Sequence, residues 1–191
     1  MPTISRLAKI ARLQSLRRQN LCVVLEDIHD PHNAAAILRT CEAFGIQHIY
    51  YIFEQEKSYN PAKIGKSSSS SANKWLTFHT FHSTADCLTQ LKTQGFHLVS
   101  TLLDPQSQNI YELNFQDHPK IALLFGNEHR GLSPTAIAHT DTKLYIPMLG
   151  MVQSLNVSVT AGICIFEASR QLNLHRIAKS ENISPDGQTQ K

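Results

Sequence analysis

Three short polar stretches, each next to an apolar run, carry the side chains in this sequence best suited to chemistry. His32-Asn33 and Arg39 follow the run Leu21 to Leu25 and a turn at Asp30-Pro31. Gly126-Asn127-Glu128-His129-Arg130-Gly131 follows Ile121 to Phe125, and Ser154 and Asn156 stand between Ile146-Pro147-Met148-Leu149-Gly150 and an apolar run beginning at Val157. Pro147 restricts the backbone and Gly150 loosens it, so the chain can bend sharply and offer amides and carbonyls to a ligand. A loop at the carboxyl end of a strand is where open α/β sheets bind ligands. Taken singly, each stretch is equally an ordinary junction with a polar cap. Gly126, Gly131 and Ser133 have the spacing of a phosphate-binding loop, but Leu132 stands where that motif needs its lysine, which argues against nucleoside triphosphate hydrolysis.

Other chemistries find less support. Ten histidines invite a metal, and His29/His32 and His79/His82 are spaced like ligand pairs, yet no cysteine or carboxylate set completes either pair. His79 and His82 flank Phe81 in a connection and are expected at the surface. No Gly-x-Ser-x-Gly elbow supports a Ser/His/Asp hydrolase, and no GxGxxG follows a strand. The four cysteines, Cys22, Cys41, Cys87 and Cys164, lie far apart in apolar surroundings without a CxxC pair, so they read as reduced core residues of a cytoplasmic protein.

The elements that must position the polar stretches read as α/β. Strands are expected at Leu21 to Leu25, Ile46 to Phe53, Trp75 to Phe78, Phe96 to Leu102, from Ile121, and at Lys143 to Ile146, with helical material at Thr84 to Thr93. Asn33 is read as the N-cap of a helix whose apolar stripe is Ile37, Leu38, Cys41 and Phe44 and which Gly45 ends. Asn156 is read as the N-cap of a long apolar helix, Val157 to Leu172, with Ser154 just outside it. Its face with Val159, Ile163 and Phe166 suits burial either in the monomer or between two subunits. This order of elements predicts a mostly parallel sheet flanked by helices.

With 191 residues and 41% apolar content, the chain has the size and core of one domain. No run approaches ~20 apolar residues, so no membrane span is expected. Net charge is only +3, but residues 1–20 hold Arg6, Lys9, Arg12, Arg17 and Arg18 and no acid. Leu7, Ile10, Leu13 and Leu16 recur there every third residue, as in a short amphipathic helix packed on the body with its arginines outward. Arginine forks suit RNA phosphates, although a solvated helix face is the plainer account. Ser67 to Ser71, beside Lys63, Gly65 and Lys66, reads as a flexible loop that could close over a phosphate or stay solvated. The boundaries expected are a basic extension at 1–20, one main domain at 21–174 and a polar tail at 175–191.

The three stretches, in this order, resemble the SPOUT class of RNA methyltransferases, and within it the TrmH-type enzymes that methylate a ribose 2′-hydroxyl. Asn33 and Arg39 look like the first family motif, Gly126-Asn127-Glu128 with Gly131 like the second, and Ile146-Pro147-Met148 through Ser154-Leu155-Asn156 like the third. Likeness covers nearly the whole chain, including Lys74-Trp75-Leu76. Pro31-His32-Asn33 with Ile37-Leu38-Arg39-Thr40, and Gly150 through Ser158, look closest to bacterial enzymes acting on a D-loop guanosine of tRNA.

The resemblance implies transfer of the methyl group of S-adenosylmethionine to a ribose 2′-oxygen of tRNA. The cofactor would lie among the loops after Thr101, at Gly126 and from Ile146 to Leu155, with Thr101, Gly126, Ile146 and Leu155 binding it, and catalysis would rest on Arg39, Asn33, Glu128, Ser154 and Asn156. Arg39 matches the family's activating arginine; since a guanidinium stays protonated below a pKa of roughly 12, its expected part is to orient the ribose-phosphate and assist loss of the proton. Asn33 would fix the arginine or the ribose, Glu128 would support the loop or the arginine as well, and Ser154 and Asn156 would fix the substrate side. The resemblance also implies a C-terminal trefoil knot and a homodimer with a shared active site, neither of which periodicity shows. The short polar tail leaves RNA selection to the N-terminal segment with Arg170 and Arg176. The rival readings are the same transfer on ribosomal RNA or a tRNA anticodon-loop nucleotide, and a non-catalytic RNA-binding module.

Overall fold

The computed structural model describes residues 16–64 and 72–172. Arg6, Lys9, Arg12, Arg176 and the serine run lie outside them. The described chain runs β1 (Leu21–Glu26), α1 (Pro31–Ala43), β2 (His48–Ile52), β3 (Thr77–Phe81), α2 (Thr84–Thr93), β4 (His97–Thr101), β5 (Gln108–Asn109), β6 (Ile121–Phe125), α3 (Pro134–His139), β7 (Thr142–Tyr145) and α4 (Val157–Gln171). Short 3₁₀ turns occur at Pro61–Lys63, Ala72–Trp75 and Phe115–Asp117.

The strands form one seven-stranded sheet in the order β3-β2-β1-β6-β4-β7-β5, and every pairing between them is parallel. β1 and β6, with Leu21 opposite Ile121 and Leu25 opposite Phe125, are buried along their whole length. Their apolar runs, Leu21 to Leu25 and Ile121 to Phe125, suit strands covered by helices on both faces. Alternation then sorts side chains by face. Leu21, Val23, Leu25, Leu123 and Phe125 point to one side, where Ile37, Leu38 and Cys41 of α1 and Ala161, Cys164 and Ile165 of α4 meet them. Cys22, Val24, Ala122 and Leu124 point to the other, against Cys87, Leu88 and Leu91 of α2 and Ala136 of α3. All four cysteines are free and buried.

From β1 the chain proceeds to β2 and β3 on one side, and from β6 to β7 on the other. The crevice between the carboxyl ends of β1 and β6 is therefore a topological switch point, the place where such sheets take ligands.

Several boundaries differ from those expected. Trp75 belongs to a 3₁₀ turn and β3 starts at Thr77, because the parallel register sets His48 opposite Thr77 and Ile52 opposite Phe81. Asn33 is not the N-cap of α1. Asp30 is, its carboxylate accepting from His32 N at 2.8 Å, and Pro31 fills the first helical position, where its missing N–H is no loss. Gly45 follows the helix with φ 73°, as expected of a terminating glycine. Asn156 does cap α4, accepting from Ser158 N at 2.8 Å.

Candidate active site

The β6–α3 loop is held by its own polar side chain. Asn127 and Gly131 exchange backbone hydrogen bonds of 3.0 and 2.8 Å, and Asn127 Oδ1 accepts from the His129 and Arg130 amides inside the loop. Asn127 Nδ2 donates across the crevice to the Asp27 carbonyl at 2.8 Å, tying the loop to the end of β1. A Cβ on Gly126 would lie 2.4 Å from Gly131 C and Leu132 N, so only glycine permits this closure. Ser133, the residue that mimicked a phosphate-loop serine, caps α3 and donates from Oγ to the buried Glu26 carboxylate at 2.7 Å.

This loop delivers Glu128 to the start of α1. Its carboxylate accepts from the His29 and Asp30 amides at 2.8 and 3.1 Å and from Asn33 Nδ2 at 2.9 Å. Because Asp30 does the capping, Asn33 Oδ1 is left for a second partner. Asn33 Oδ1 in turn accepts from Asn156 Nδ2 at 3.0 Å. Glu128, Asn33 and Asn156, far apart in sequence, thus form one hydrogen-bonded chain joining the β6–α3 loop, α1 and α4. Burial pushes the Glu128 carboxyl pKa up, but the bonds from Asn33, His29 and Asp30 outweigh it, and the group sits below its ordinary value.

A second set braces the same loops. Asp27, the one non-glycine residue with positive φ (50°) among the described residues, accepts the Glu54, Gln55 and Glu56 amides. Glu56 pairs with Arg130 and with His29 Nδ1, each at 3.0 Å. The hydrogen bond to Glu56 and its charge raise the His29 pKa.

Beside the Glu128 chain lies a cavity of about 490 Å³ at the carboxyl ends of β4, β6 and β7. The four residues expected to hold a cofactor, Thr101, Gly126, Ile146 and Leu155, all line it, as do Glu128, Ser154 and Asn156. Leu102 and Leu103, in the loop expected after Thr101, line it too. Sequence reading missed Leu132, Tyr145 and Thr160; Leu132 directly follows Gly131 and Tyr145 precedes Ile146, and those positions were the available signal. Volume, apolar walls and loop backbone suit an adenosine-sized ligand. Leu149 and Met151 are fully exposed.

Arg39 is exposed on α1 and does not line this cavity, and neither does Asn33. Arg17 and Arg18, expected outward, turn into the body. Arg17 Nη2 donates to Glu42 at 3.0 Å, and Arg18, 9% exposed, donates to the Leu172 carbonyl at 2.8 Å, because these residues lead straight into β1 between the C-terminal ends of α1 and α4. Burial lowers the Arg18 pKa. Arg170 is exposed and forked onto Glu167. Of the two histidines expected at the surface, His82 is exposed, whereas His79 is partly buried and bonded to His48 at 3.1 Å. Among the described residues no cluster of three or more His, Cys, Asp or Glu side chains could hold a metal, and no helix is long and apolar enough to cross a membrane.

Known proteins resemble this chain in sequence and in fold. The SpoU rRNA Methylase family matches residues 20–166. A tRNA (guanosine(18)-2′-O)-methyltransferase of Aquifex aeolicus (strain VF5) is 36% identical over 166 residues, covering 87% of this chain and 76% of that protein. The crystal structure of the A. aeolicus TrmH/SpoU tRNA modifying enzyme matches with a TM-score of 0.79 at 33% identity, over 95% of this chain and 91% of that one. The SpoU methyltransferase AviRb from Streptomyces viridochromogenes, in complex with the cofactor AdoMet, matches with a TM-score of 0.69 at 25% identity, over 81% of this chain and 59% of that one. With the match spanning both halves of the switch-point crevice and every loop of the cavity, the chain belongs to the SpoU methylase family of RNA methyltransferases.

Proposed function

We propose that this protein methylates the ribose 2′-hydroxyl of a D-loop guanosine in tRNA with S-adenosylmethionine as donor. The observation that carries the reading is the Glu128–Asn33–Asn156 chain at the edge of the cavity. When bound, the cofactor supplies an activated methyl group on sulfur. The cavity residues would hold it: backbone at Thr101, Gly126, Ile146 and Leu155 would take polar groups, and Leu102, Leu132 and Leu144 would give apolar contacts. Glu128 holds Asn33, and Asn33 and Asn156 hold each other, so two amide side chains of fixed orientation are offered to the ribose. Ser154, exposed on the same loop, adds a hydroxyl.

Arg39 orients the ribose-phosphate and, as a cation, lowers the cost of the proton leaving the 2′-oxygen. Its place outside the cavity lining is accounted for by a homodimer in which the arginine of one subunit serves the cavity of the other. Support comes from exposed apolar residues on α4, Val159 (49%) and Phe166 (54%), the latter edge-on to Phe44 after α1. We propose also that the β6–α3 and β7–α4 loops thread as a trefoil knot, that residues 21–174 form the catalytic domain in the cytoplasm, and that Arg6, Lys9, Arg12, Arg170 and Arg176 contact tRNA phosphates. The basic extension at 1–20 would serve RNA capture, and 175–191 is a polar tail.

Incubation of the purified protein with labelled S-adenosylmethionine and an unmodified tRNA transcript, followed by digestion and mass spectrometry, tests the reading. A 2′-O-methylguanosine in the D-loop is expected; a label on another RNA or nucleotide would replace the substrate named here.

A further inference from the structure

The cofactor cavity opens at the carboxyl ends of the strands. A second cavity, about 280 Å³, lies at their amino ends, between Arg17 before β1, Gln47 before β2 and Lys74-Trp75 before β3. Strands of five to six residues at ~3.3 Å per residue separate the two ends by roughly 16–20 Å. Whatever fills this bowl is therefore not the nucleotide being methylated.

Its chemistry is that of a stacking platform beside cationic donors. Trp75, the only tryptophan, is partly exposed, and Lys74 is exposed. Arg17 has an 8% exposed side chain: Nη2 is bonded to Glu42, but Nη1 is buried and has no acceptor among the described residues. Buried donors are rarely left so, and an incoming phosphate oxygen would satisfy this one. Glu42 balances the Arg17 charge, so Lys74, which has no ion pair among the described residues, supplies the further cation. The volume suits one base, and an aromatic face accepts any base.

We propose that this bowl holds one unpaired nucleotide of the tRNA, its base stacked on Trp75 and its phosphate on Arg17 Nη1 and Lys74. This rests on the reading of RNA as substrate and adds a remote contact to it. Because stacking is indifferent to sequence, the contact reads the distance from the methylated ribose to a single-stranded stretch rather than a base.

The lone tryptophan reports on its own site. In the full chain without cofactor, Trp75 emission is expected to be quenched by tRNA transcript and by a short single-stranded RNA, but not by an RNA duplex of equal length. Silent emission at saturating tRNA, equal quenching by the duplex, or equal quenching by free guanosine monophosphate would overturn the proposal. Trp75→Ala should raise KM for tRNA about tenfold, as loss of a base–aromatic stack does. Trp75→Phe should largely restore it, and Lys74→Glu should raise KM with a shallower salt dependence. A loss in kcat rather than KM, or no rescue by phenylalanine, would make Trp75 merely structural. Quenching without methyl transfer to any tRNA would sink the proposed activity and leave this site standing; transfer with silent emission would do the reverse.

Discussion

Glu128 gathers two backbone amides and the Asn33 side chain on one carboxylate. Glu128→Gln removes the charge and turns one acceptor into a donor, so Asn33 loses its fixed orientation. Methyl transfer should fall about 10²-fold, the scale of a 1 Å misplacement, while cofactor affinity measured by calorimetry changes little. The same carboxylate makes stability depend on acid. Its pKa is depressed in the folded state, so its contribution is complete above the unfolded value of ~4.3 and is lost as pH falls through the folded value. Melting temperatures of native protein and Glu128→Gln, compared from neutral pH downwards, should converge at the acid end. Arg39 stands apart from the cavity wall, so Arg39→Ala should abolish transfer and leave cofactor binding nearly intact. Loss of both together would mark a structural role.

At the level of the elements, the start of α1 separates two asparagine roles. Asp30→Ala should cost about 1 kcal/mol of stability as a lost cap. Asn33→Ala should cost less stability but nearly all activity, a contrast that thermal melts and rate assays on the two variants would expose. Gly126→Ala should fail more severely, because the added carbon meets backbone atoms at 2.4 Å that cannot rotate aside; loss of cofactor binding is expected with a fall in melting temperature. Periodicity and turn residues made much of this legible. The buried runs Leu21 to Leu25 and from Ile121, the Asn156 cap and the glycine-bounded loop all stand where they were read. Asn33 was misassigned because asparagine and aspartate are both good caps; Asp30 takes the His32 amide, while the Asn33 amide group is engaged by Glu128 and Asn156, 95 and 123 residues away in the chain. α3 was missed although Ser133-Pro134 is a cap followed by proline, since a six-residue helix has too little periodicity to announce itself. β5, two residues long, exists only through its pairing with β7. The inward turn of Arg17 and Arg18 was illegible for a similar reason: Glu42 and the Leu172 carbonyl are long-range partners.

For the molecule as a whole, the site lies where the sheet reverses its winding, and its proposed completion needs a second subunit. Phe166→Glu places a charge on the exposed face of α4. If that face joins two subunits, the variant should sediment as a monomer and lose methyl transfer, while its cavity still binds cofactor. A variant that stays dimeric and active would move the interface elsewhere.

The buried thiols have a further use. Cys22, Cys41, Cys87 and Cys164 sit one each in β1, α1, α2 and α4, and burial raises every one of their pKa values, that of Cys87 and Cys164 to about 12. None forms thiolate readily while the layers are closed, so an alkylating reagent marks each cysteine only when its own layer opens. Four equal labelling rates would mean that the protein opens all at once. Earlier labelling of Cys164 than of Cys22 would time the release of the last helix from a sheet still intact, a clock already written into the native chain.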